Sequence, residues 1–235
     1  MKLTITRFNP SVDAKPYDQV FDVPTFENMT LLEAVMYVHE NLEPISFDYT
    51  CRGRLCGRCS VMYDGIPVFA CIQFVSEGSH TVAPLEGFPV IRDLIVDKRR
   101  EQKAIADTYE RVRIAPLTRE EINSQMTTEA ADKLRWIEYC CRCQVCTVIC
   151  PAKKDTPQYM GPSRLLAVAY RHFDPYDQAD RLLEAVAGGL WDCQMCGSCT
   201  KVCQNSPEIH HLDIWKELRA DATARGLTVA NPKGV

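Results

Sequence analysis

No stretch of this 235-residue chain stays apolar for long. Its runs fall well short of the roughly 18 consecutive apolar residues that a bilayer-spanning helix needs, so no segment is expected to cross a membrane by itself. The opening MKLTITRFNP alternates apolar and polar residues and lacks the apolar stretch of a secretory signal. Charge of one sign is scarce as well. The 27 Lys and Arg residues stand against 31 Asp and Glu, for a net charge of −4, which leaves no basic footprint for nucleic acid. There is no G-x-G-x-x-G loop, so no dinucleotide or flavin is held by that route. Low-complexity segments are missing too. What remains is a globular composition, 46% apolar and 25% charged, with length enough for two ordinary domains.

Cysteine is the residue in excess. Thirteen are present, and without a secretory leader they point to a reducing compartment where disulfides rarely persist. Clustered thiols there are more often metal ligands. They fall into three groups. The first is Cys51-x4-Cys56-x2-Cys59, with Cys71 eleven residues later. This is the plant-type spacing for a [2Fe–2S] cluster, two thiolates on each iron. Gly53 and Gly57 are expected to let the loop fold closely around the inorganic core. Arg52, Arg54 and Arg58 either place positive charge near an anionic cluster or are ordinary solvated loop charge. The second group, Cys140-x2-Cys143-x2-Cys146-x3-Cys150-Pro151, is the bacterial-type run, and Cys193-x2-Cys196-x2-Cys199-x3-Cys203 repeats it. In such paired runs the fourth cysteine ligates the other cluster. Cys203 is therefore expected to complete a [4Fe–4S] cluster with Cys140, Cys143 and Cys146, and Cys150 to join Cys193, Cys196 and Cys199 in a second. Without Cys196 that last cluster would be [3Fe–4S]. Twelve cysteines are thus used as iron ligands. Cys141 is left over and is expected to face away from the cluster as a small buried residue. Tetrahedral zinc is the rival for the first four cysteines, and a zinc-stabilised binding module is the non-redox alternative for the whole chain.

The periodicity changes along the sequence. Residues 1–97 read as a small α+β domain of the β-grasp kind. Leu3 and Ile5 alternate with polar neighbours, 17–23 is a second strand, and SVMYDGIPVFAC turns at Asp64-Gly65 as a hairpin. Thr30 and Glu33 fit a capping box ahead of a helix whose apolar face is Leu31, Val35, Val38 and Leu42. Residues 98–235 read as all-α. Helices are expected over TTEAADKLRWIEY, SRLLAVAYRHF and DQADRLLEAVAGG, the last stopped by Gly188-Gly189. A final helix in HHLDIWKELRADATARG presents Leu212, Trp215 and Leu218, a face for the core or a partner, with a membrane surface as the alternative.

The order of these motifs resembles the iron–sulfur subunit of succinate dehydrogenases and fumarate reductases. FNPSVDAKPYDQVF, MTLLEAV, FDYTCRGRLCGRCSVMYDGIPVFAC, VIRDLIVD and YMGPSRLLAVAYRHFDPYD are similar to the family's successive segments, and together they span most of the chain. The resemblance implies a plant-type ferredoxin domain followed by a bacterial-type two-cluster domain. It implies an electron wire with no substrate chemistry of its own. A flavoprotein subunit carrying FAD would interconvert fumarate and succinate, and a membrane-anchor subunit, of cytochrome b or cysteine-rich type, would hold a (mena)quinone site near the last cluster. The chain would then lie at the membrane through its partners, on the cytoplasmic side. The same wire serving another flavoprotein, or a heterodisulfide-reductase-like partner, is the alternative. Four positions depart from the family pattern. Cys196 replaces a residue that is usually not cysteine. The loop AKKDTPQYM lacks the tryptophan, and Gln194 the histidine, of the quinone-contacting form. Gln204 stands where proline is usual. Lys153 and Lys154 are candidates for an acidic partner surface or are solvated loop charge. His172, His210 and His211 are read as surface or packing residues.

Overall fold

The computed structural model of the protein describes residues 1–205 and 208–234. It divides into two compact units, Met1–Arg99 and Arg100–Val235. In the first, β1 (Lys2–Arg7) pairs antiparallel with β2 (Tyr17–Asp22) and parallel with β5 (Ser79–Ala83). β3 (Ser60–Tyr63) and β4 (Ile66–Phe69) form the hairpin beyond them, giving the strand order β2-β1-β5-β3-β4. Asp64 (φ 49°) and Gly65 (φ 77°) take the two left-handed positions of that tight turn. A short ribbon of β6 (Val90–Arg92) and β7 (Ile95–Val96) follows.

One helix crosses this sheet. α1 (Leu31–Asn41) begins with the expected box: the Glu33 N–H donates to Thr30 Oγ1, and the Thr30 N–H donates to the Glu33 carboxylate at 2.8 Å. Its buried face is Leu31, Leu32, Ala34, Val35 and Val38. Leu42 does not continue that face. The helix ends at Asn41, the backbone turns away, and Leu42 is 48% exposed. Leu32 and Val35 share a small cavity with Cys59, Val61 and Ala70, so the helix faces the sheet beside the first cysteine group.

A buried clasp closes this unit. Asp93 accepts from Arg7 Nε at 3.0 Å and from the N–H groups of Phe8 and Ser46, while Arg7 also donates to the Pro44 carbonyl. A buried ion pair is strongly destabilising to break, because one charge is then left uncompensated.

The second unit is helical: α2 (Arg99–Tyr109), α3 (Arg119–Gln125), α4 (Thr128–Glu138), α5 (Val145–Val148), α6 (Pro151–Asp155), α7 (Pro162–Phe173), α8 (Arg181–Ala187), α9 (Ser198–Val202) and α10 (His211–Ala224). α7 is its centre. Leu165, Leu166, Ala167, Val168 and Ala169 are all fully buried, so the helix is covered nearly all round. α10 packs its Ile214, Trp215 and Leu218 into the same core, each fully buried. That corrects the membrane-surface alternative, since the apolar face is spent on the core. The buried set His211, Ile214, Trp215, Leu218 and Ala222 follows the helical period more closely than the three-residue steps from Leu212. Fully burying side chains of this size stabilises the fold by roughly 1.5–3 kcal/mol each. No helix among the described residues is long and apolar enough to cross a membrane.

Candidate iron–sulfur centres

The first cysteine loop lies between the clasp and the hairpin. Cys51 is exposed, Cys56 half-buried, and Cys59 and Cys71 buried. The N–H groups of Gly53, Leu55 and Cys56 converge on Cys51 Sγ at 3.3–3.4 Å. They bring its thiol down to about 7, the Gly53 N–H contributing most. Cys59 is the opposite case, pushed up to about 12 by burial. The left-handed residues of the loop are Arg52, Arg54 and Gly57. Gly57 fits the expectation. At Gly53 φ lies outside the left-handed region, and among protein atoms an added Cβ would meet only the Cys51 carbonyl at 3.7 Å. The arginine charge is partly spoken for. Arg58 Nε donates to both Asp48 oxygens at 3.0 Å, and Arg52 lies over the Tyr49 ring.

The two later runs fold as copies of one another. Arg142 (φ 57°) and Gln144 (φ 75°) flank Cys143 in the left-handed region, and Met195 (φ 53°) and Gly197 (φ 74°) flank Cys196 in the same way. Each flank leads into a short helix, α5 or α9. Each run ends at an extended cysteine, Cys150 (φ −70°, ψ 114°) or Cys203 (φ −68°, ψ 117°). Three of the four left-handed residues are not glycine, and such conformations cost of order 1–3 kcal/mol unless the surroundings impose them. The reward is a repeated set of donors. The N–H two residues on points at the sulfur of Cys140, Cys143, Cys193 and Cys196.

The sulfurs are also sorted across the two runs. Cys140 and Cys146 both feel Cys203, while Cys150 feels Cys193 and Cys196, and Cys199 feels Cys193 and Cys150. The two neighbourhoods adjoin, since Cys146 feels Cys199 as well. α5 packs against α9, which makes the exchange possible. Burial pushes Cys140 and Cys199 up to about 12. Cys143 and Cys146 are also raised well above the ordinary thiol value, Cys143 above all by the Cys141 thiol and Cys146 by burial. Buried thiols in this state ionise only beside a cationic centre, which is what iron supplies. Cys196 differs: it is exposed, and the Ser198 hydroxyl and N–H, with Lys201, outweigh its partial burial and bring it below the ordinary thiol value. Among the described residues no group of three or more His, Cys, Asp and Glu is gathered tightly enough for a single metal ion.

Buried donors surround the third group. Tyr159 and Trp215 are fully buried, and neither Tyr159 Oη nor Trp215 Nε1 has a hydrogen-bond acceptor. Each is aimed at a cysteine sulfur, Tyr159 at Cys193 and Trp215 at Cys199, without closing a hydrogen bond to it. An unsatisfied buried donor costs about 1–3 kcal/mol, and a thiol is a weak acceptor. Thiolates and sulfides in the same places are better ones, so the residues present fit a cluster.

A family model described as "2Fe-2S iron-sulfur cluster binding domain" matches residues 2–103, and one described as "4Fe-4S dicluster domain" matches 136–206. The chain is 33% identical, over 98% of its length, to an uncharacterized iron–sulfur protein of Methanocaldococcus jannaschii. It is 30% identical, over 96% of its length, to a fumarate reductase (CoM/CoB) chain of Methanothermobacter marburgensis. It is 27% identical to the fumarate reductase iron–sulfur subunit of Escherichia coli, with 86% of each chain covered. This chain is homologous to the iron–sulfur subunits of fumarate reductases.

The fold carries the same likeness. A chain of the Mycobacterium smegmatis Sdh1 complex superposes with a TM-score of 0.81 at 23% identity, covering 97% of this chain and 98% of that one. The chain spans 45% of the length of the Methanocaldococcus and Methanothermobacter relatives. Its two domains are thus of the [2Fe–2S] and the [4Fe–4S] dicluster kinds. Cys141 departs from expectation. It is half-buried, its thiol reaches Cys143, and Asn205 Nδ2 lies 3.8 Å from its sulfur. Lys153 donates to the carbonyls of Pro157 and Tyr159, and Gln194 Nε2 to Asp155, so these loop positions are held within the fold. His211 is buried and edge-on to Trp215, His210 stacks on Trp136, and His172 meets Asp221 at 2.8 Å. The sequence did not single out Arg219, Tyr159 or Trp215 as groups near a cluster. A lone aromatic or arginine in a helical pattern reads as core or surface.

Proposed function

We propose that this chain is an electron-transfer subunit, relaying electrons between the FAD of a flavoprotein partner and a membrane-associated partner. The observation that supports it is that Cys203 neighbours Cys140 and Cys146, while Cys150 neighbours Cys193 and Cys196. Cys140, Cys143, Cys146 and Cys203 would hold one cubane, and Cys150, Cys193, Cys196 and Cys199 the other. Cys51, Cys56, Cys59 and Cys71 would hold the [2Fe–2S] cluster. The clusters supply one-electron uptake and release. The chain's own residues supply thiolates, backbone N–H groups aimed at sulfur, and burial that keeps water from Cys59, Cys146, Cys150, Cys193 and Cys199. Fumarate and succinate as the partner's substrates rest on the relatives named fumarate reductase.

Anaerobic preparation followed by iron and acid-labile sulfide analysis tests this reading. About ten iron atoms per chain are expected if all three clusters form, with the EPR signals of a [2Fe–2S] cluster and two cubanes on reduction. A colourless protein holding zinc would reject it.

One observation favours a second reading for the membrane side. Cys196 stands in the third run, the tryptophan and histidine of a quinone-contacting form are missing, and Lys153 and Gln194 are engaged internally. Together with the relative whose name pairs fumarate reductase with CoM/CoB, this supports a cysteine-rich partner over a quinone beside the last cluster. Co-purification with identification of the other chains distinguishes the two.

A further inference from the structure

The third cysteine group has buried donors that ligation does not use. Tyr159 sits in the turn between α6 and α7 and is locked there from both sides. Lys153 Nζ donates to its carbonyl at 2.6 Å. The Met160 N–H donates to the Gly188 carbonyl at 2.9 Å. Gly189 (φ 92°) approaches so closely that a Cβ there would lie 3.0 Å from the Tyr159 ring and 3.2 Å from its Cα. Trp215 is fixed by α10, with Ile214 and Leu218 buried beside it. Beside the same group, the buried Arg219 donates to the Cys193 carbonyl at 2.6 Å and to the Leu190 carbonyl at 3.2 Å. A hydroxyl and an indole N–H have therefore been carried into a dry interior and left without an acceptor, the one towards Cys193 and the other towards Cys199.

We propose that Tyr159 and Trp215 are hydrogen-bond donors to the sulfurs of the third cluster and hold its reduction potential up. The inference rests on the ligand assignment of the preceding section. Reduction of a cluster held there would add one electron, from the neighbouring cluster, to an assembly that is already anionic. A donor aimed at its sulfur stabilises the more negative state, and hydrogen bonds to sulfur are among the recognised determinants of such potentials. No proton moves in this step: the Tyr159 O–H and Trp215 N–H bonds stay intact and only their electrostatic contribution changes. Both residues are positioning groups, since neither ligates iron.

The test is a redox titration of the intact, cluster-loaded protein monitored by EPR, with Tyr159→Phe, Trp215→Phe and the double variant. Each ring is kept or replaced by another aromatic, so packing is altered little at Tyr159 and moderately at Trp215. The third cluster's potential is expected to fall in each single variant and further in the double one, while the [2Fe–2S] and middle clusters stay where they are. Iron and sulfide contents are measured alongside. Full cluster content with an unmoved third potential overturns the proposal and leaves the ligand assignment standing. Absence of clusters from the unaltered protein rejects the assignment instead. If Trp215→Phe loses its third cluster, Tyr159→Phe and a wild-type experiment decide. Protein grown with ¹⁵N-indole tryptophan should show a nitrogen coupling to the reduced third cluster in pulsed EPR, and no such coupling overturns the Trp215 half.

Discussion

At the scale of single residues, Cys196 and Gly189 are the informative positions. Cys196 is exposed, flanked by two left-handed residues, and donates to Ser198 Oγ at 3.3 Å. Cys196→Ser should release one iron and leave a [3Fe–4S] centre, read as a new EPR signal in the oxidised protein. Retention of a cubane in that variant would remove Cys196 from the ligand set. Gly189→Ala should destabilise the second unit by about 1–3 kcal/mol, because a side chain at φ 92° would also press on Tyr159 and Asp192. Thermal unfolding measures it. The sequence marked Gly188-Gly189 only as a helix stop. The contact with Tyr159 was not legible, since it joins residues far apart in the chain. In the first cysteine loop Arg52 and Arg54 take left-handed conformations alongside Gly57, which their side chains do not signal.

At the scale of elements, local chemistry was readable and tertiary contact was not. Thr30-x-x-Glu33 announced the start of α1. The same pattern at Thr118-x-x-Glu121 caps α3 and was equally present in the sequence. Thr30→Ala should cost the first unit about 1 kcal/mol, measured by denaturant unfolding. The capping carboxylate also gives a pH dependence. The Thr30 N–H and then its hydroxyl hold Glu33 below its ordinary value of 4.5. A depressed folded value means the contribution is complete above the unfolded value and is lost as pH falls through the folded one. The stability gap between wild type and Glu33→Gln should therefore narrow below about pH 4. An unchanged gap across that range would separate the carboxylate from the cap. Leu42 was misplaced because periodicity gives a direction around a helix but not the residue where the helix stops; on α10, Trp215 and Leu218 do lie in the core, with Leu212 packed at its edge.

At the scale of the whole molecule, the two-unit plan and the three cysteine groups were legible because ligand spacing is dictated by the inorganic core, not by packing. Cys141 was not, since nothing in its spacing says which way a thirteenth thiol turns. Cys203→Ala should damage the cubane of Cys140, Cys143 and Cys146 more than that of Cys150, as judged by cluster-resolved EPR and iron content; the reverse pattern would contradict the crossed sets. Crossed ligation, as proposed, would also have a consequence in time. The first unit's four thiols are all in place once residue 71 has been synthesised, and its clasp is complete by Asp93. Cys203, much later in the chain, is the neighbour of Cys140 and Cys146. With the proposed ligand sets, the thiols for the first cluster would all be available early in synthesis, whereas the cubane of Cys140, Cys143 and Cys146 would wait for Cys203, until most of the chain has emerged.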